Sequence, residues 1–388
     1  MNQNSGRLVS LDALRGFDLI WILGADQVGT QLVRSWNIAP TRWVAGQLDH
    51  CAWAGVHFYD LIFPLFVFIA GASIVFAVPR QIERQGRAGA VRHILRRGLI
   101  LFLLGIVYNG GLSHPWPDVR LLGVLQRISL AYTAAALLFC FGSLRIMAAV
   151  FALLLAGYWA VLDFIPIHDY SLDRAAIAAQ FGRPDAPRSV VRAAWAAAPG
   201  RVTGRFEPGL NVTSQVDFLV VPGRMYDGDW DPEGLLSTFP AIATCLLGVF
   251  AGRWLTRADR GGREKVVGLV LSGAAALALG WLWSLEFPVV KKIWTSSFVL
   301  VAGGWALIFL AAFYYVIDVR GWRRWAAPLV WIGLNPITLY LATALISFGG
   351  VAAHFVGSTQ PLLLAATALA LLVALAWFLQ DRKVFLRV

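Results

Sequence analysis

Charged residues and cysteines are scarce in this chain of 388 residues. Only 14% of the residues are charged and three are cysteine, whereas 58% are hydrophobic. This composition lies far outside the range of soluble globular domains. The chain has 33 basic and 22 acidic residues. Because the basic residues lie between apolar segments, we expect no nucleic-acid partner. The sequence therefore predicts a polytopic membrane protein surrounded by a lipid bilayer.

Two further absences narrow the class of protein. The cysteines at positions 51, 140 and 245 have no CxxC spacing, which argues against both a disulfide framework and a zinc site, and we predict no metal. Charged residues interrupt the first apolar run, and no small-residue cleavage site follows a clean apolar stretch. A cleaved signal peptide is therefore not predicted, and the first helix is expected to remain in the protein.

Apolar runs long enough to cross a bilayer recur along the chain. A template of about 20 residues yields about ten spans. They start near Leu11, Phe58, Gly98, Leu121, Met147, Glu233, Val266, Phe298, Pro328 and Pro361. We predict an all-α transmembrane bundle of about ten helices, a single domain over residues 1–388, with residues 166–231 inserted as an external loop subdomain.

Lysine and arginine are concentrated in alternate short loops, above all in residues 80–97 and 253–265. Positively charged loops stay on the cytoplasmic side of a membrane. Both termini are therefore predicted to be cytoplasmic, in a bacterial inner membrane, and segment 166–231 is predicted to be periplasmic.

Ionisable residues stand inside or next to several of these spans. Asp12, Arg15 and Asp18 share one drifting helix face, and such groups need partners in a membrane. A structural ion pair fits Asp12 and Arg15, whereas Asp18 could pair with a distant cation or a ligand. Arg127, next to Gln126, could pair with Asp18 or Asp60, or could recognise a phosphate or carbonyl group.

The segment from Gln47 to Ser73 carries the strongest chemical signal. His50, His57 and Asp60 lie just before or at the start of a long apolar run. A carboxylate that is hydrogen-bonded to one imidazole nitrogen leaves the other nitrogen free to act as a base or nucleophile. His50 is the candidate for that role, while a structural hydrogen bond is the favoured interpretation of His57.

Two more polar clusters follow later in the chain. Lys291 and Lys292 stand beside Trp294, where they are either ordinary interfacial anchors or part of a site. Asn335 and Pro336 interrupt an apolar run, which frees backbone carbonyl groups and is typical of a helix that lines a cavity.

Six sequence blocks together resemble a known family. They are LVSLDALRGFDLIWI (8–22), DHCAWAGVHFYDLIFPLFVFIAGASI (49–74), GVLQRISLAY (123–132), DPEGLLSTFPAIATCLLGVFAG (231–252), KKIWTSSFVL (291–300) and GLNPITLY (333–340). In this order they resemble the transmembrane acyltransferases of the heparan-alpha-glucosaminide N-acetyltransferase family, and most of all its bacterial NagX-type members.

The resemblance implies acetyl transfer from acetyl-CoA to the amino group of glucosamine or of a terminal amino sugar. The family's catalytic histidine, in a His-x-x-Trp context, corresponds to His50 in His50-Cys-Ala-Trp53, and its aspartate corresponds to Asp60. A homodimer is a further expectation from the family. Two alternatives remain open from the residues: a sugar transporter, and an O-acyltransferase that acts on an envelope polysaccharide.

The remaining candidates would bind substrate or donor. They are Arg15, Asp18, Gln126, Arg127, Lys292, Trp294, Ser296 and Asn335. Because CoA is cytoplasmic and His50 is predicted on the other side, we expect a channel through the bundle for the pantetheine arm. Arg15, Arg80 and Arg84 are expected near the nucleotide.

Overall fold

The computed structural model describes residues 8–36, 38–116 and 118–385, and most of them are helical. The helices are α1 (Val9–Ile20), α2 (Asp26–Ser35), α3 (Ala39–Leu48), α4 (Ile62–Tyr108), α5 (Val124–Phe141), α6 (Leu144–Phe164), α7 (Arg174–Phe181), α8 (Arg188–Ala197), α9 (Val212–Val220), α10 (Thr238–Leu255), α11 (Gly262–Trp283), α12 (Ser296–Phe313), α13 (Ala327–Leu334), α14 (Pro336–Leu345), α15 (Phe348–Val356) and α16 (Pro361–Asp381). Strands β1 (Ile167–His168) and β2 (Arg201–Val202) form one antiparallel pair. The predicted all-α polytopic fold is confirmed.

Fewer separate helices than the predicted spans are long and apolar enough to cross a membrane. Among the described residues, seven helices are long and apolar enough to cross a membrane, and α13 with α14 makes an eighth if this pair, bent by 67°, is one span. The sequence predicted about ten. The difference has two sources: the spans predicted from Phe58 and Gly98 lie in one helical segment, and α1 has only 12 residues before it passes into a π-helical segment, Trp21–Ala25.

Gly86 divides α4 into two arms. A straight helix of 47 residues would be about 70 Å long, more than twice the thickness of a bilayer core. Gly86 has φ 70° and ψ 173°, a conformation that glycine adopts far more readily than other residues. The first arm (62–85) packs on α10 through Gly71, and the second arm (87–108) packs on α5 through Gly98. The two spans predicted separately correspond to these arms.

The bundle core is formed by α4, α5, α10 and α12. Glycine brings the first arm of α4 and α10 into backbone contact. A Cβ atom on Gly71 would lie 1.9 Å from the carbonyl oxygen of Cys245, and one on Gly248 would lie 1.9 Å from that of Phe68. This contact fixes the start of α4, and therefore the position of Asp60.

Residues 166–231 fold over one end of the bundle around a small core of their own. Its buried members are Leu172, Ile177, Val191, Phe218 and Trp230. The segment is joined to the bundle by the Tyr158 hydroxyl, which lies 2.9 Å from Thr213 Oγ1 and donates to the Ile293 carbonyl at 2.5 Å. Its location outside the membrane remains a prediction.

Candidate active site

His50 and Asp60 form a hydrogen-bonded pair at the start of α4. His50 lies in the loop after α3, and Asp60 lies in a 3₁₀ turn, Phe58–Leu61, that leads into α4. His50 Nδ1 is 2.8 Å from Asp60 Oδ1, while Oδ2 accepts from the backbone N–H groups of Cys51 and His57 at 3.0 Å each. Asp60 is 1% exposed and the His50 side chain 54%. With Nδ1 donating to the carboxylate, Nε2 carries the free lone pair.

A second loop, residues 288–295, is bonded to the loop that carries His50. The N–H of Gly55 donates to the Val289 carbonyl at 2.8 Å, and Ala54 pairs with Val290. The turn that follows places Trp294 at φ 51°, which is uncommon for a bulky residue. This pairing brings Lys291 to the histidine: its Nζ lies 3.2 Å from Asp60 Oδ1 and 2.9 Å from His50 Nδ1.

Lys291 was not among the residues predicted to bind substrate, whereas its neighbour Lys292 was. The structure directs Lys292 away from His50, since its Nζ lies 2.8 Å from Asp227 Oδ2 and over the ring of Trp230. In a helix or strand, the repeat of the side-chain directions would indicate which lysine faces the site. A loop has no such repeat, so the sequence could not distinguish Lys291 from Lys292. The signal that could have found Lys291 was the acidic partner that a buried lysine requires, namely Asp60.

A cavity of about 720 Å³ lies between α1, both arms of α4, α5 and α14. One end is lined by the polar side chains of Arg80, Gln81, Arg84, His93 and Arg97, and the other by Ile22, Phe63, Val124 and Tyr340. Arg15 lines the middle, beside Ser73. Phe63 is one helical turn beyond Asp60, so the apolar end lies about one turn of helix from the histidine pair, which does not itself line the cavity. From Phe63 to Arg80 the helix rises about 25 Å. The cavity therefore extends over most of the thickness of a membrane.

Arg15 combines the two roles that the sequence left open. Its Nη1 donates to Asp12 Oδ1 and to the Gly333 carbonyl, each at 3.1 Å, and its Nη2 donates to Ser73 Oγ at 2.7 Å. The predicted ion pair with Asp12 is present. The same guanidinium lines the cavity together with Arg80 and Arg84, the three arginines that were expected near the nucleotide.

Arg127 and Trp294 lie behind the apolar end of the cavity. The buried Arg127 guanidinium donates to the Gly234 carbonyl and to the Ser237 hydroxyl rather than to Asp18 or Asp60, and it lies 4.9 Å from the centre of the Trp294 ring. Trp294 in turn packs edge-on against Phe63 at 5.1 Å. These residues support the wall next to Phe63.

The other four candidates are buried away from the cavity wall. Ser296 donates to the Leu155 carbonyl at 2.7 Å, which ties α12 to α6. The side-chain polar atoms of Asp18, Gln126 and Asn335 have no hydrogen-bond partner within the described part of the chain. The predicted interruption at Asn335 is present as the bend between α13 and α14. A substrate role for these four residues remains a prediction.

Positive and negative side chains alternate near the site, in the order Lys291, Glu233 and Arg120. Burial lowers the pKa of Lys291, while Asp60 and Glu233 oppose the shift. Burial raises the pKa of Glu233, which forms an ion pair with Arg120. Within residues 8–36, 38–116 and 118–385, no three His, Cys, Asp or Glu side chains group as metal ligands would.

Comparison with known proteins agrees with the motifs. Residues 7–172 match the model of "Heparan-alpha-glucosaminide N-acetyltransferase, catalytic". The human heparan-alpha-glucosaminide N-acetyltransferase is 26% identical over 86% of this chain, and the mouse protein of that name is 24% identical over 99%. The chain spans 52% and 61% of the length of these relatives. A match to a catalytic domain favours an enzyme over a transporter, and the resemblance of this chain to the heparan-alpha-glucosaminide N-acetyltransferase family is confirmed.

Proposed function

We propose that this chain transfers an acetyl group from acetyl-CoA to the amino group of glucosamine or of a terminal amino sugar, in a bacterial inner membrane. The observation that carries the proposal is the pairing of His50 with Asp60 beside the apolar end of a cavity whose other end is lined by arginines. Both termini are proposed to be cytoplasmic, although residues 1–7 and 386–388 lie outside the described residues. A homodimer stays a prediction from the resemblance.

The two ends of the cavity suit the two ends of the donor. The phosphate groups of CoA require cationic donors, and guanidinium groups bind phosphates through paired hydrogen bonds. Arg80, Arg84 and Arg97 provide these groups at the polar end. The apolar walls would accept the pantetheine arm, which places the thioester near Phe63, one helical turn from Asp60.

The histidine pair can carry out the proton transfer that this reaction needs. The acceptor nitrogen attacks the thioester carbonyl while Nε2 of His50 takes its proton, and Asp60 stabilises the resulting imidazolium. The C–S bond then breaks, and the proton passes to the departing thiolate of CoA. Transfer through an acetyl group on Nε2 would use the same atoms in two steps, so both routes require His50.

The test is to measure the release of free CoA thiol from acetyl-CoA by the purified protein in detergent, with and without glucosamine. We expect release that glucosamine stimulates, a loss of at least about 100-fold in His50→Ala, and unchanged release in His354→Ala, which removes a remote exposed histidine. Release that only alcohol acceptors stimulate would instead indicate O-acyl transfer. No release with any acceptor from folded protein would refute the proposal.

A further inference from the structure

Lys291 is the charged group closest to the histidine pair that the proposed reaction has not yet used. We propose that the Lys291 ammonium is a further catalytic group, which donates a hydrogen bond to the oxyanion that forms on the thioester carbonyl during transfer. The inference rests on the proposed acetyl transfer, and it adds the residue that stabilises the negative charge of the transition state.

The distances place Lys291 Nζ within reach of the reacting carbonyl. It lies 3.5 Å from His50 Nε2, the nitrogen that takes the acceptor's proton. When the acceptor nitrogen lies about 3 Å from Nε2, the thioester carbonyl that it attacks lies close to Nε2 and to Lys291 Nζ as well. A donor to that oxygen must lie about 2.7–3.1 Å from it, and the flexible lysine stem can satisfy this from its observed position.

Lys291 also has donors to spare. An ammonium group has three N–H bonds, and Lys291 uses one of them on Asp60 Oδ1 at 3.2 Å. His50 Nδ1 already donates to Asp60, so it does not accept from Lys291 despite the separation of 2.9 Å. The lysine side chain is 21% exposed, and partial burial strengthens its interaction with a developing charge.

The two other cations near the site differ from Lys291 in their surroundings. Lys292 is paired with Asp227. Arg127 is buried behind the Trp294 ring, where its Nη2 donates to Gly234 and Ser237 while Nε and Nη1 have no partner among the described residues. Lys291, by contrast, is held next to His50 by the backbone bonds between their two loops. Such preorganisation is what makes a donor effective for an oxyanion.

The reaction balances without a further reagent. The acceptor nitrogen forms a bond to the carbonyl carbon while the carbonyl π electrons move to the oxygen, and the amine proton goes to His50 Nε2. The oxygen electrons then re-form the double bond, the C–S bond breaks, and the thiolate takes the proton from Nε2. Lys291 keeps all its protons, and its charge stabilises only the intermediate oxyanion.

The experiment compares Lys291→Met and Lys291→Arg with the wild-type protein and with Lys265→Met, a control that removes a lysine from α11. In Lys291→Met we expect kcat to fall by at least about 100-fold, with the KM for acetyl-CoA changed by less than about threefold. Lys291→Arg should keep at least about a tenth of the wild-type kcat because the charge is retained. Lys265→Met should match the wild type.

The pH profile supplies a readout that a purely structural lysine would not move. The charged and titratable groups around Lys291 are His50, Asp60, Glu233 and Lys292, and all four are retained in Lys291→Arg. Wild-type kcat should therefore fall at alkaline pH as Lys291 loses its proton. In Lys291→Arg that fall should move upward by more than about one pH unit, because arginine stays protonated.

The outcomes separate this inference from the proposed function. Active wild-type protein with Lys291→Met within about threefold of its kcat, or an alkaline limb unmoved in Lys291→Arg, would overturn the role of Lys291 and leave acetyl transfer intact. A wild-type protein that releases no CoA with any acceptor would overturn both. If Lys291→Met does not fold, the kcat and alkaline limb of Lys291→Arg decide the question alone.

Discussion

Asp60 is the residue on which the geometry of the site depends most. Both carboxylate oxygens accept hydrogen bonds from the loop that carries His50, one through the imidazole and the other through two backbone N–H groups. A group that accepts at all these points must be a carboxylate, since an amide would present N–H donors to at least one of them. Asp60 is therefore a positioning residue that orients the imidazole and stabilises its protonated form.

Replacing Asp60 by asparagine should lower kcat by about 10²- to 10⁴-fold, because the amide favours the wrong tautomer of His50. The measurement is CoA release at saturating glucosamine and acetyl-CoA. Asp49→Asn, which alters an exposed carboxylate beside His50, is the matched control and should retain activity. An Asp60→Asn enzyme within about threefold of the wild type would show that the pair does not set the rate.

Asp217 in α9 predicts a pH dependence of stability. Burial raises its pKa to about 7, above the value of an unfolded chain, so the folded protein binds the proton more tightly than the unfolded one. Its contribution to stability is present below about pH 4 and is lost as the pH rises to about 7. We expect Asp217→Asn to flatten the dependence of the unfolding temperature on pH in this range. Asp185→Asn, an exposed carboxylate of the same segment, should not flatten it.

Individual residues also show where sequence interpretation reaches its limit. The resemblance carried His50 and Asp60 to their positions, and the structure shows them hydrogen-bonded. No local pattern could distinguish Lys291 from Lys292, because the answer depends on the pairing between two loops that lie about 235 residues apart in the chain. For Arg127 the sequence left open an acidic partner or the recognition of a phosphate or carbonyl group, and its Nη2 donates to a backbone carbonyl and a hydroxyl group.

At the scale of elements, close backbone contacts at glycine residues set the arrangement of the helices. Gly16 of α1 and Gly333 of α13 each lie against the backbone of the opposite helix, as Gly71 and Gly248 do in α4 and α10. Without a hydrophobic driving force between helices in lipid, small residues allow the dense packing that holds them together. These glycine contacts therefore hold α1 and α4, which border the cavity, at a distance from their partner helices that a larger side chain would increase.

Adding a methyl group at Gly71 should destabilise the bundle. Its Cβ would lie 1.9 Å from the Cys245 carbonyl oxygen, so α4 and α10 must move apart, at a cost of about 1–3 kcal/mol. We expect Gly71→Ala to lower the unfolding temperature in detergent. Gly157→Ala is the control, since nothing lies within 4 Å of a Cβ at that position of α6. Equal unfolding temperatures for the two variants would contradict the importance of this contact.

Apolar run length predicts helices well and their breaks poorly. The runs gave the positions of α5, α6, α10, α11, α12 and α16 to within several residues, since a bilayer requires continuous apolar helices. The turn at Gly86 lies in the charged stretch 80–97, where the sequence predicted a loop between two spans, but the helix continues up to this single glycine and resumes directly after it. The bend at Asn335 was predictable because proline cannot continue the hydrogen-bond ladder.

At the scale of the whole molecule, the cavity joins chemically different ends. Arginines from both arms of α4 meet at one end, while aromatic and aliphatic side chains line the end nearer the histidine pair. This arrangement follows from the turn at Gly86, which brings Arg80 and Arg84 opposite His93 and Arg97. The sequence predicts positive charge in residues 80–97, but only the folded bundle shows that these side chains line a cavity.

Removing a cavity arginine should weaken the binding of the donor. Arg84→Gln should raise the KM for acetyl-CoA by about tenfold, as expected for the loss of one charged hydrogen bond of about 1.5 kcal/mol, and should leave kcat nearly unchanged. Arg92→Gln removes an exposed arginine of the second arm of α4 that does not line the cavity, and it should have the wild-type KM. Identical KM values for both variants would place the nucleotide elsewhere.

The most direct test of the account uses protein reconstituted in one orientation in sealed vesicles, with labelled acetyl-CoA outside and glucosamine trapped inside. If the donor enters at the arginine-lined end and reacts at His50, labelled N-acetylglucosamine should accumulate inside when the arginine-lined end faces out, and this should not happen in His50→Ala vesicles. Product that forms only when donor and acceptor share one compartment would contradict transfer through the bundle.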